Sequence, residues 1–176
     1  MRRVPPSPST APVVTAVLLA ALLASCSSST GSPASPSAAA APAQALSPST
    51  LEQQMHARVN AHRAAIGLPA LSWHGGIADI ARGHSANMAG GAVPFGHDGF
   101  AARVLAVALI LRVADASENL AMVSGYADPV AAVFQGWLDS PTHRPNIEGT
   151  FGQTGIGVAI SPSGTVYFTQ IFVRTW

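Results

Sequence analysis

From Ser27 to Ser49 the chain offers almost nothing but Ser, Ala, Pro, Gly and Thr, with no large side chain to bury until Leu46. Such a stretch cannot offset the entropy of ordering itself. Any packed core must therefore come from residues 50–176, which is room for one domain of ordinary size. The Pro and Ser content predicts a partly extended spacer.

What precedes the spacer reads as an export signal. Met1-Arg2-Arg3 is a short positive region, Val13 to Ala24 is an apolar run too short to span a bilayer, and Leu23-Ala24-Ser25-Cys26 follows at once. That tetrapeptide resembles a bacterial lipobox, which implies cleavage before Cys26 and acylation of its thiol. Cys26 is the only cysteine in the chain, so no disulfide and no Cys-based metal site is available to it. The plainer alternative is an ordinary secretory signal with an incidental cysteine. The expected organisation is a lipoprotein signal peptide over 1–25, a lipidated Cys26 and disordered linker over 26–49, and a folded domain over 50–176. The protein is then exported and lipid-anchored to the cell membrane or an outer membrane, with its domain outside the cytoplasm.

All nine basic residues are Arg, and two of them lie in the signal. Seven Arg against eight Asp and Glu leave the mature chain at a formal charge of −1. No basic stripe remains, so nucleic acid is not an expected partner.

Within the domain, Thr50 and Gln53 fit a capping box, and Met55, Val59, His62 and Ile66 follow at helical spacing until Gly67 and Pro69. A second helix is predicted from about Gly76 to Ala89, with Ile77, Ile80, Ala81, His84 and Met88 on one side. His62 and His84 read first as packed or rim histidines, and His56 and His74 as solvent-facing. The apolar run Val104–Leu111 reads as a buried segment, helical rather than extended because Ala and Leu outnumber β-branched residues. Asn119–Val123 reads as a short strand. A third helix has Asp128 as N-cap, Pro129 at its first position, and Val130, Val133, Phe134 and Trp137 on its buried face. Strands over 154–160 and 165–173 flank the turn Ser161-Pro162-Ser163-Gly164. Together the pattern predicts an α+β fold whose sheet is covered on both faces.

Three polar stretches stand out in a chain only 10% charged: Phe95–Phe100 with His97, Ser117–Leu120 with Glu118, and Ser140–Ile147 with His143 and Arg144. Two prolines in the last of these predict a stiff loop held between a helix and a hairpin, where binding groups usually sit. His97, Glu118 and His143 are expected to converge in one cleft.

With these pieces in order, residues 51–176 resemble the CAP superfamily, also called the SCP domain, which is shared by cysteine-rich secretory proteins, pathogenesis-related plant proteins and venom allergens. The short bacterial branch fits best. The resemblance rests on Asn60-Ala61-His62-Arg63 to Leu68-Pro69, Leu71-Ser72-Trp73, Ala81 to Met88, Gly96-His97-Asp98-Gly99, Glu118-Asn119-Leu120-Ala121, Trp137 to Ile147, and Tyr167-Phe168-Thr169-Gln170. It implies a three-layer α-β-α sandwich with a mainly antiparallel central sheet, and a cleft that in eukaryotic members holds two His and two acidic side chains. His97 and Glu118 match two of these. The other acidic position falls near Ser140, with Asp139 beside it, and the strand histidine is Tyr167. His143 and Asn146 belong instead to the Ser-Pro-x-His-Arg-x-Asn motif of the bacterial branch, so the implied cleft is His97, Glu118, His143, Asn146 and Tyr167.

Two imidazoles and a carboxylate match the inventory of a divalent metal site, and the same set equally suits a hydrogen-bonded polar cluster. His97, His143 and Glu118 are the candidate ligands, with zinc, calcium or magnesium as the metal. Three functions follow: a binding module for a lipid, a sterol-like molecule or a cell-wall component; a metal- or His/Glu-dependent hydrolase, protease-like, acting in the envelope; or a structural envelope protein. A His-Glu pair suits general-base work on water. No nucleophile accompanies it, since Gly-x-Ser-x-Gly is absent and Ser117 and Ser140 lack an elbow, so no residue is designated catalytic. The binding module is the preferred reading, and a monomer is expected.

Overall fold

The protein is described here by a computed structural model covering residues 47–176. The expected signal peptide, Cys26 and the linker up to Leu46 lie outside the described residues. In chain order the elements are α1 (Pro48–Ala65), β1 (Ser72–Trp73), α2 (Gly75–Ala89), α3 (Phe100–Ala108), β2 (Val113–Val123), α4 (Pro129–Asp139), α5 (Arg144–Glu148), β3 (Gln153–Ile160) and β4 (Val166–Thr175). The strands form one sheet in the order β1-β3-β4-β2. Pairing is antiparallel except for β1 on β3, which is parallel.

Strand alternation divides β4 between two cores. Phe168 and Phe172 point to one face and pack with Leu51, Met55 and Val59 of α1 and with Val130, Val133 and Trp137 of α4. Ile171 and Val173 point to the other and pack with Ile77 and Ala81 of α2 and Val107 of α3. The result is the expected three-layer sandwich. On β3 the residues facing α2 are glycines because the helix lies directly on the strand. A Cβ at Gly155 would overlap the backbone of Ile77 and Ala78, and one at Gly157 the backbone of Ala81 and Arg82.

Both sheet edges are closed by side chains, which disposes of backbone groups that would otherwise seek a partner strand. Beyond its short pairing with β1, β3 donates its Val158 N–H to Glu52 Oε1 at 3.1 Å, while Arg82 on α2 donates to the same buried carboxylate at 2.7–3.1 Å. On the β2 edge, Trp137 Nε1 donates to the Leu120 carbonyl at 3.0 Å.

Several expectations shift. Helix α1 starts at Pro48, with Ser47 as N-cap accepting from Thr50 N, because Pro is well placed in a first turn. The short strand at 119–123 is the end of an eleven-residue strand that takes in Ser117 and Glu118. Strand β1 was not foreseen: two residues carry no periodicity. The stretch after Ser140 is not a loop throughout, since Arg144–Glu148 forms a short helix with Pro145 in its first turn, where a missing N–H costs nothing. His56 and His74 are half-buried, the first bonded to the Leu71 carbonyl at 2.9 Å and the second capping α2 at Ile77 N. The apolar run Val104–Leu111, expected to be buried, is helical to Ala108, but half of its residues are exposed and only Val107 is fully buried.

Candidate functional site

The site forms along the β2 edge, where groups from both faces of the sheet meet. Glu118 points to the α2/α3 face and is buried. Arg103 of α3 closes on it, Nε to Oε2 at 2.7 Å and Nη2 to Oε1 at 2.6 Å. The same guanidinium donates from Nη1 to the Asp98 carbonyl at 2.9 Å and lies 5.9 Å from the Phe100 ring centroid. That fixes the loop bearing His97, whose Nδ1 meets Glu118 Oε1 at 2.9 Å.

Hydrogen-bond partners assign the tautomers. A carboxylate paired with Arg103 only accepts, so His97 Nδ1 carries a proton and donates to it, from a side chain that is 54% exposed. Arg103 Nη1 only donates, so His84 Nδ1, 3.2 Å away, accepts. His84 Nε2–H then donates to the Gly96 carbonyl at 3.0 Å. His84 is held neutral: burial, and next the charge of Arg103, push its pKa below the usual imidazole value.

From the opposite face come the α4–α5 residues. Asn119, the neighbour of Glu118 on β2, donates from Nδ2 to the His143 carbonyl at 3.1 Å and accepts from Asn146 Nδ2 at 2.8 Å. The His143 ring is half-buried with Nδ1 on Ser140 Oγ at 2.8 Å. Its pKa is lowered, first by burial and then by repulsion from His97. Tyr167, further along the sheet on β4, stacks obliquely on Phe95, centroids 6.5 Å apart.

The structure thus brings His97 and Glu118 into direct contact, with Asn146 bonded to the neighbouring Asn119 and His143 bonded to Ser140 and not to Glu118, while Tyr167 meets Phe95 further along the sheet. The donor set does not fit a metal. Among the described residues no three His, Cys, Asp or Glu side chains are grouped to hold one. Both oxygens of Glu118 accept from Arg103, a fixed cation already standing where a metal would. His84 reads first as an interior or rim histidine and second as a site residue; Arg103 was missed, because nothing local in the sequence pairs it with a carboxylate fifteen residues on.

Between α3 and β2 lies a mainly apolar groove of about 620 Å³, lined by Phe100, Val104, Leu105, Val113, Asp115 and Ala116 among others; neither His97 nor Glu118 lines it.

Comparison with known proteins adds an independent view. The family model for CAP, the cysteine-rich secretory protein family, matches residues 56–172. Among solved structures, an extracellular protein containing an SCP domain from Bacillus anthracis is 32% identical with a TM-score of 0.60; the match covers 73% of this chain and 41% of that one. An outer surface protein of Borrelia burgdorferi is 14% identical, TM-score 0.63, covering 72% of this chain and 94% of that one. A cysteine-rich secretory protein of Staphylococcus aureus is 18% identical, TM-score 0.58, covering 73% and 39%. The last two share the fold. No curated protein matches the chain.

Proposed function

Since the chain belongs to the CAP, or cysteine-rich secretory protein, family, we propose that it is an exported lipoprotein whose domain binds an amphiphilic component of the cell envelope, such as a lipid, a sterol-like molecule or a lipid-linked cell-wall fragment. Export and acylation at Cys26 rest on the lipobox-like sequence, and the SCP-domain relative described as extracellular supports export. The observation that carries the binding reading is the open apolar groove between α3 and β2, whose Ala116 stands two residues before Glu118 on the same strand. Apolar area in the groove supplies affinity.

The test uses the purified full chain with a fluorescent fatty acid or phospholipid probe. Saturable binding that falls at least about tenfold in Val104→Trp, which fills the groove, supports the reading. No binding in the parent, or equal binding in Val104→Trp, defeats it. A second reading, general-base hydrolysis by His97 oriented by Glu118, is favoured by that pair alone. It predicts a hydrolytic activity lost in His97→Ala and unaffected by Val104→Trp.

A further inference from the structure

The end of α3 and the turn joining it to β2 expose large apolar side chains: Leu109 is 88% exposed and Leu105 69%, with Ile110 half-exposed beside them. Trp176, 87% exposed, is tied beside this turn by its backbone N–H, which donates to the Arg112 carbonyl at 3.4 Å. Ile110 is held against the start of α2, where its Cδ1 would clash with any Cβ added at Gly76. Exposed apolar patches of this kind mark contact sites.

The rim indicates what the patch touches. Arg112 is exposed and makes no ion pair among the described residues, and the exposed Arg174 has only a 3.5 Å pairing with Asp115. From Gly99 to Ala116, Asp115 is the only acidic residue. Leu and Ile around a Trp, edged by Arg, is the composition of a surface that enters the headgroup region of an anionic bilayer. Residues 27–46 add proximity: from an anchored Cys26, twenty residues reach at most about 70 Å, so the domain stays close to lipid.

We propose that the α3–β2 turn, with Leu105, Leu109, Ile110 and Trp176 at its centre and Arg112 and Arg174 at its rim, docks the domain on an anionic lipid surface. Leu105 also lines the groove, so docking sets the groove's mouth on the lipid. The inference rests on the envelope-lipoprotein reading above for its proximity argument, and its test is made independent of it.

The full chain carrying Cys26→Ser and an amino-terminal hexahistidine is held on vesicles containing a nickel-chelating lipid, phosphatidylcholine and about 30% phosphatidylglycerol, with brominated acyl chains as quenchers. The Trp176→Phe variant isolates the Trp176 signal from Trp73 and Trp137. Quenching of Trp176, reduced by more than about half in Leu109→Ser/Ile110→Ser with circular dichroism unchanged, is the expected result. Unquenched Trp176 on tethered protein overturns docking, as does quenching insensitive to the double change. So does a lipid-free dimer that the double change converts to monomer, which would make a second copy the occupant. The mass of the Cys26 peptide from the wild-type chain reports anchoring separately, so failure of the anchor and failure of docking are distinct results.

Discussion

The Arg103 guanidinium meets both oxygens of the Glu118 carboxylate at 2.6–2.7 Å, and the Glu118 side chain is only 1% exposed. A buried carboxylate without its partner keeps its desolvation cost and loses the compensating charge. Arg103→Met is therefore expected to destabilise the fold by about 3–5 kcal/mol in urea unfolding, while Arg103→Met/Glu118→Leu recovers much of that loss. Additive losses in the double variant would show that the two residues act separately.

Much of this architecture is legible in the sequence because it comes from local signals. Asp128 and Pro129 mark the start of α4, and the alternation around Ser161–Gly164 marks the β3–β4 hairpin. The His97–Glu118 contact is expected from the resemblance to the CAP family. What escaped depends on long-range partners. Arg63 looks like a helix-surface arginine, yet it is buried and donates to the carbonyls of Pro69, Ile147 and Gly149 at 2.7–2.9 Å. Glu52 looks solvent-facing and instead closes the β3 edge, and no one-dimensional pattern encodes a partner 106 residues away.

The buried His84 predicts a pH dependence of stability. Its pKa is lowered in the folded state, so above the unfolded value of about 6.5 it is neutral in both states and its stabilising contribution is complete. As pH falls below that value the unfolded chain takes up the proton first, and stability drops until the folded pKa is passed. His143, lowered in the same direction, steepens the fall. Each contributes a slope of at most about 1.4 kcal/mol per pH unit. His84→Gln, whose amide can still donate to Gly96, is expected to flatten the profile between pH 6.5 and 5, as read from chemical unfolding at each pH. A profile as steep as the parent's would mean that other groups set it.

Gly157 tests how closely α2 lies on the sheet. Its Cα hydrogen faces the Ala81–Arg82 backbone, and its carbonyl accepts from Ser85 Oγ at 2.9 Å. A methyl group has no flexible neighbour to displace, so Gly157→Ala must lift α2 from β3 and open the second core. A loss of about 3 kcal/mol or more is expected in thermal or urea unfolding, against under about 1 kcal/mol for Gly83→Ala, which has open space at its Cβ and lies in a helix. Equal effects at the two positions would contradict the close approach.

The same Arg103–Glu118 contact sets an expectation for metals. A divalent ion at His97 and His143 would need the Glu118 carboxylate as a third ligand, and Arg103 already donates to both of its oxygens. Freeing that carboxylate means breaking a buried charge-assisted pair, so the two imidazoles would be left to bind weakly by themselves. Titration of the metal-free full chain with zinc or calcium is expected to show no site tighter than about 10 µM, and His97→Ala or His143→Ala is expected to change little. A stoichiometric site tighter than that, lost in both variants, would require Arg103 to swing away from Glu118. Arg103→Met should then tighten the site, and the same variant would leave a merely adventitious site unchanged.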